Sequence, residues 1–226
     1  MDIEIKHIFS GKPQTINDGK REPYFSSYQK SLMTRSSFLI NKEGLKGDTQ
    51  SDRESHGGED KAICVYSLED YDFFEKRHNL LLPPSAFGEN FSIVGANDRN
   101  ICIGDQFACG EVIFEVSQPR QPCWKISSIM GIKNLTAMLV KEHRSGFYLR
   151  VLQEGEMKST DRLKLISRHY PQFTIAFVNQ IAFNAKDNQE AIQAIIRCPK
   201  LSEAYRVSLE ERYRHKEQGL QEWQLD

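Results

Sequence analysis

A chain of 226 residues is long enough to bury a core without disulfide staples, and it suits one large domain or one domain with a small appendage. Lys plus Arg number 30 against 31 Asp plus Glu, a net charge of -1 with His neutral, so no global field draws it to a nucleic-acid polymer or an acidic membrane. Five cysteines, an odd number with no CxxC, cannot form a fully paired disulfide framework. The N-terminus lacks the basic and apolar regions of a secretion signal, and no apolar run approaches a bilayer span; a reduced, cytoplasmic protein is the expectation.

Up to residue 167 the chain reads as short strands broken by Gly, Pro, Asn and Asp. Strands are expected at Ile3 to Phe9, Phe38 to Ile40, Asn100 to Gly104, Glu111 to Ser117, Tyr148 to Leu152 and Arg162 to Ile166. Ala62 to Tyr66 is a continuous apolar run, which suits a strand buried on both faces. Two helices interrupt this pattern. One runs from Leu68 to Arg77 behind an N-cap at Ser67, the other from about Ile132 to Glu142. After Pro171 the texture changes. Thr174 to Phe183, Asn188 to Arg197 and Ser202 to about Lys216 lack internal Gly and Pro, and Asp187 and Ser202 are natural N-caps. The expectation is a mainly β fold, a barrel or sandwich over residues 1–167, followed by a three-helix unit over 172–226.

Five segments carry chemistry. In Gln118-Pro119-Arg120-Gln121-Pro122-Cys123-Trp124-Lys125, two prolines stiffen the loop, and Arg120 with Lys125 would favour a Cys123 thiolate, the form that ligates soft metals. The same residues read equally as an inert cysteine packed beside a turn. In His56-Gly57-Gly58-Glu59-Asp60-Lys61, the glycines could form an anion nest with His56 and Lys61 as added donors, or simply make a tight turn. Phe87-Gly88-Glu89-Asn90-Phe91 offers Asn90 to a heterocycle edge, or is a loop held by core phenylalanines. Arg144-Ser145-Gly146 could admit a ligand or be an exposed loop before a strand, and Gly44 to Gln50 is a glycine turn with polar side chains. Cys64, Cys102 and Cys109 read as packing residues. There is no dinucleotide, P-loop, zinc-protease or serine-hydrolase signature, and the histidines lack paired zinc-ligand spacing.

Taken in order, these segments resemble the molybdenum cofactor sulfurase C-terminal (MOSC) domain, most closely its YiiM-like branch. The motifs are Gly44-Leu-Lys-Gly-Asp48, His56-Gly-Gly-Glu-Asp-Lys-Ala62, Phe87-Gly-Glu-Asn-Phe91, Gln118-Pro-Arg-Gln-Pro-Cys123 and Arg144-Ser-Gly-Phe147. Leu201-Ser-Glu-Ala-Tyr-Arg206 is similar to the helical domain of that branch, with Tyr205 in place of the expected Trp. The resemblance implies a MOSC-type β-barrel and a molybdenum cofactor (Mo-pyranopterin) whose metal takes Cys123 as ligand. Loop chemistry adds His56, Gly57, Gly58, Lys61, Asn90, Arg120, Arg144 and Ser145 as candidate contacts to the pterin and its phosphate. The implied activity is that of an oxidoreductase: two-electron reduction of N-hydroxylated compounds such as hydroxylaminopurines, a detoxifying reaction, with His56 as candidate proton donor. No flavin or nicotinamide fingerprint is present, so electrons are expected from a separate reductase, a flavoprotein. The alternatives are a sulfur carrier acting through a Cys123 persulfide and a non-catalytic carrier of the cofactor.

Overall fold

The computed structural model describes residues 1–17, 19, 22–50 and 57–225. In chain order the strands are β1 (Asp2–Ser10), β2 (Gln14–Ile16), β3 (Tyr24–Ser26), β4 (Ser31–Leu32), β5 (Ser37–Asn41), β6 (Gly44–Leu45), β7 (Ile63–Ser67), β8 (Phe91–Val94), β9 (Gln106–Cys109), β10 (Val112–Pro119), β11 (Phe147–Gln153), β12 (Gly155–Lys158) and β13 (Arg162–Ser167). The helices are α1 (Leu68–His78), α2 (Trp124–Met130), α3 (Leu135–Glu142), α4 (Ile175–Phe183), α5 (Gln189–Ile196) and α6 (Glu203–His215). Seven strands close into a barrel in the order β13-β9-β10-β11-β7-β8-β1, and β1 returns to β13. Every neighbour in this ring is antiparallel except β7 and β8, which are joined by the α1 crossover and run parallel. Closure leaves no ring strand with an unpaired edge.

Period-two alternation sends Ile3 and Ile5 of β1, Phe114 and Val116 of β10, and Phe147, Leu149 and Val151 of β11 into one apolar core. That core runs without interruption into α4–α6 through Ile175, Val178, Ile181, Ile192 and Ile195. A second apolar cluster lies outside it, where Tyr66, Phe74 and Phe87 pack with Ile126, Leu135 and Leu139 of α2 and α3. All five residues of β7 are buried because this strand faces both clusters.

The helix ends follow from local chemistry. Ser67 accepts the Glu69 N–H at the start of α1, and Ser202 accepts the Tyr205 N–H at the start of α6. Asp187 does not cap α5: it closes a short 3-10 turn, and Asn188 takes the capping position without a side-chain bond. Asn100 to Gly104 is not a strand either. The segment turns so that Asp105 can accept the Cys102 N–H, and only Cys102 bridges, to Thr174 ahead of α4. Strands β2, β3, β4, β6, β8, β9 and β12 and helix α2 have no counterpart among the elements expected from sequence, and α3 begins at Leu135 rather than near Ile132. Among the described residues, no helix is long and apolar enough to cross a membrane.

Candidate functional site

Cross-strand register brings Cys64 and Tyr148 together in the floor of the site. Cys64 of β7 stands opposite Tyr148 of β11, and Tyr148 stands opposite Gln118 of β10, whose side chain lies outside the cleft. Partners in register share a face, so these three side chains sit on the side of the sheet away from the barrel interior. Beyond Gln118 the chain leaves the strand through Pro119 and Pro122, and the Arg120 N–H donates to Gly146 O at 2.9 Å. The result is a cleft of about 100 Å³. Its walls include Tyr28, Lys30, Asp48, Lys61, Cys64, Asn90, Arg120, Cys123, Lys125 and Tyr148.

Cys123 directly precedes α2 in extended backbone (φ −119°, ψ 168°), and its thiol does not cap the helix. Its carbonyl accepts the Ile126 N–H at 3.1 Å and the Thr136 hydroxyl at 2.9 Å, which fixes the main chain and leaves the sulfur to the cleft. Of the five cysteines it is the half-buried one; the other four are buried. Cys64 also borders the cleft, a departure from its reading as packing alone. Burial pushes its thiol up, against the pull of Arg120 and Lys30, so Cys64 stays protonated.

Arg120 is 7% exposed, and no acidic side chain among the described residues pairs with it. Its guanidinium stands 5.8 Å from the centre of the Tyr28 ring and near the Tyr148 side chain, and burial pushes both phenols well above their ordinary range. Nη1 is buried with no partner. Arginine does not deprotonate in proteins, so Arg120 is a cation that no anion among the described residues meets. Lys30 differs, because Asp48 pairs with it at 3.1 Å and is held in turn by the Gly11 N–H and by Asn90 Nδ2.

Of the candidates read from sequence, Cys123, Lys61, Asn90 and Arg120 border this cleft, and His56 lies outside the described residues. Asn90 has its amide committed elsewhere: Oδ1 accepts the Cys64 N–H, and Nδ2 donates to Phe9 O and Asp48. It pins three segments together instead of reading a ligand. Gly57 and Gly58 are not among the residues that line the cleft, and the Gly58 N–H is taken by Gln50 Oε1 at 3.0 Å. Arg144 and Ser145 also depart from expectation. Arg144 pairs with buried Asp70 and lies 4.0 Å from the centre of the Phe73 ring, while Ser145 Oγ donates to Gly146 O and accepts from Asn179. Both hold the loop that supports Arg120 and neither borders the cleft. Tyr28, Lys30 and Cys64 are cleft residues that the sequence does not single out as ligand contacts, whereas Asp48 and Tyr148 lie within the Gly44 to Gln50 and Arg144 to Tyr148 segments without being assigned a role there.

The MOSC domain family matches over residues 52–164, and the YiiM-like, 3-alpha helix domain matches over 173–215. The chain is 39% identical over 202 residues to the Bacillus subtilis (strain 168) protein YflK, covering 88% of this chain and 89% of that one. It is 30% identical over 146 residues to a Gibberella moniliformis protein named a reductase, covering 61% of this chain and 25% of that protein. The crystal structure of YiiM from Geobacillus stearothermophilus superposes with a TM-score of 0.77 at 32% identity, covering 93% of this chain and 99% of that one. MOSC domains are associated in general with binding of the molybdenum cofactor. With barrel, helical unit and both family matches in agreement, the chain belongs to the MOSC domain family and carries the YiiM-like three-helix domain.

Proposed function

We propose that the cleft binds a molybdenum–pterin cofactor through the Cys123 thiolate and that the protein reduces N-hydroxylated compounds. One observation carries this reading: buried Arg120, with Nη1 unpartnered and no acid paired with it among the described residues, shares a cleft with the half-buried thiol of Cys123. A buried cation is costly until an anion meets it, and a phosphate-bearing ligand would do so. A thiolate suits a soft metal. Among the described residues, no group of three or more His, Cys, Asp or Glu is placed to hold a metal ion. A metal taking Cys123 would therefore arrive with most of its ligands supplied by a cofactor. The likeness to a protein named a reductase, of which this chain spans a quarter, supports reduction as the reaction class.

When bound, the cofactor supplies the two-electron reduction of the N–O bond. The chain's own residues bind and orient. Cys123 would anchor the metal, Arg120 with Lys61 and Lys125 would neutralise the ligand's negative charge, and the neutral phenol of Tyr148 lines the same cleft. His56 is the proposed proton donor, since imidazole titrates near neutrality, and a separate reductase is the proposed electron source.

The test is metal analysis of protein made in a cofactor-competent host. Near-stoichiometric molybdenum, lost in Cys123→Ser, is the expected result, followed by reduction of a hydroxylamino base with an artificial electron donor. Equal molybdenum in Cys123→Ser would defeat the ligand assignment. A transferable sulfur adduct on Cys123 in metal-free protein would point to sulfur transfer instead.

A further inference from the structure

Besides the Thr136 hydroxyl of α3 on the Cys123 carbonyl, the loop that presents Cys123 is held from outside the barrel at three points by the C-terminal helical unit: the N-cap of α6, α6 itself and the segment after it. Ser202 Oγ donates to Gln118 Oε1 at 2.7 Å, and the Ser202 N–H to Ser117 O at 3.0 Å. Gln121 Nε2 donates to Ser208 Oγ of α6 at 3.0 Å. Gln224 Nε2 donates to Pro122 O at 2.9 Å, one residue before the cysteine. Gln224 is itself fixed, because its Oε1 accepts from Arg212 Nη2 at 3.4 Å and from the Gln221 N–H at 3.1 Å. Arg212 is 1% exposed, donates to Ala182 O and Gly219 O at 3.2 Å each, and lies 4.9 Å from the centre of the Phe183 ring. A continuous chain of contacts thus runs from α4 through α6 and the segment after it to the carbonyl beside Cys123.

The loop needs such support for a covalent reason. The β10 ladder ends with Pro119 opposite Phe147 and the Arg120 N–H on Gly146 O, and Pro122, one residue before Cys123, has no N–H to donate. A thiolate that serves as a metal ligand must be held to within about half an ångström of its working position.

We propose that the three-helix unit is the positioning element for Cys123, with Ser208 and Gln224 as positioning residues. The functional meaning rests on the reading of Cys123 as the cofactor's ligand; the mechanical claim concerns the polypeptide alone and is measured on it. The full-length protein, purified without cofactor, is compared as wild type, Ser208→Ala, Ser208→Thr and Gln224→Glu. Ser208→Ala suits helix α6 and removes one contact, Ser208→Thr keeps the hydroxyl, and Gln224→Glu keeps the acceptor for Arg212 while losing the donor to Pro122. Because the other four cysteines are buried, alkylation by iodoacetamide reports on Cys123.

Hydrogen exchange of the 118–124 peptide and the Cys123 alkylation rate should each rise roughly threefold to tenfold in Ser208→Ala and Gln224→Glu, the scale of one hydrogen bond. Protection of α4 and α5 should not move, and Ser208→Thr should match wild type. Molybdenum content, in protein from a competent host, should fall in the two loosened variants. The proposal is overturned if loop exchange and alkylation in Ser208→Ala equal those of wild type, or if protection is lost evenly across α4–α6. Should Gln224→Glu fail to fold, the two Ser208 variants decide alone. Retained molybdenum in Cys123→Ser defeats the cofactor reading and leaves the exchange result standing. Molybdenum lost in Cys123→Ser, with an unaltered loop in Ser208→Ala, defeats the positioning claim by itself.

Discussion

The carboxylate of Asp98 accepts the backbone N–H of Ser145 at 2.7 Å and that of Gly146 at 3.1 Å, inside a region where Asp98 is 1% exposed. Gly146 in turn accepts the Arg120 N–H, so one buried carboxyl supports the loop that supports the cleft's cation. Burial, with help from nearby Asp70, pushes the Asp98 carboxyl up to about 8, against the two N–H groups that favour the charged form. An unfolded Asp releases its proton near pH 4. Between about pH 4 and pH 8 the folded state keeps a proton that the unfolded chain has lost, so stability should fall as pH rises through that window and level off above it. Asp98→Asn, which mimics the neutral acid, should flatten that slope and raise Tm at pH 8. Asp98→Ala should cost about 2–4 kcal/mol, because two buried N–H groups lose their acceptor. Thermal melts across pH check both, and a wild-type slope preserved in Asp98→Asn would show that another group sets it.

That support was hidden from sequence because Asp98 and Ser145 lie 47 residues apart and neither sits in a pattern that names the other. Strand β7 was legible for the opposite reason: an apolar run at every position fits only a strand covered on both faces. Strands β8 and β9 have four residues each, too few to show a period, and α2 follows Pro122 over only seven. In the site, Cys123 and Arg120 stood out through the prolines around them. Cys64 did not, since its place in the cleft follows from register with Tyr148, a long-range property. Arg144 was misassigned because an arginine before a glycine looks the same whether its anion is a ligand or Asp70, 74 residues away. The Asp187 cap failed because Asn188 could occupy the position one residue later.

Asp48 and Lys30 form an ion pair whose side chains are 7% and 8% exposed, and the same carboxylate ties Gly11 and Asn90 to the cleft wall. Removing one member of a buried pair leaves the other uncompensated, at a cost of about 3–5 kcal/mol. Asp48→Ala should therefore lower Tm by roughly 10 °C or more. The double variant Asp48→Ala with Lys30→Met should recover part of that loss, since no charge is then stranded. Additive losses in the double variant would mean that the two side chains do not depend on each other.

Two glycines in the Gly44 to Asp48 segment should respond unequally to the same substitution. Gly44 has φ +113°, and a Cβ there would stand 2.1 Å from the carbonyl oxygen of Ala62, at the entrance to β7. The obstacle is backbone and cannot rotate away, so Gly44→Ala should cost more than about 3 kcal/mol. Gly47 has φ +101° but open space around its Cβ position, so Gly47→Ala should cost only about 1–2 kcal/mol for the backbone conformation. Denaturant unfolding of the pair measures the difference, and equal losses would refute the contact with Ala62 as its cause.

Arg120 should trade stability for binding. Among the described residues its buried charge has no acid to meet it and one nitrogen has no hydrogen-bond partner, so the empty cleft carries a desolvation penalty that an uncharged chain of similar length would not. Arg120→Met keeps most of the volume between Tyr28 and Tyr148 and removes the charge. In cofactor-free protein it should raise Tm by roughly 2–4 °C, the equivalent of about 1 kcal/mol at this chain length. Affinity for a phosphate-bearing pterin should fall roughly tenfold to a hundredfold, the scale of a charge-assisted hydrogen bond. Melting curves and equilibrium binding on the same preparations give both numbers. If Arg120→Met instead melts well below wild type and binds as before, the guanidinium serves the phenols around it, and the anion that completes this cleft must be sought at Lys61 or Lys125.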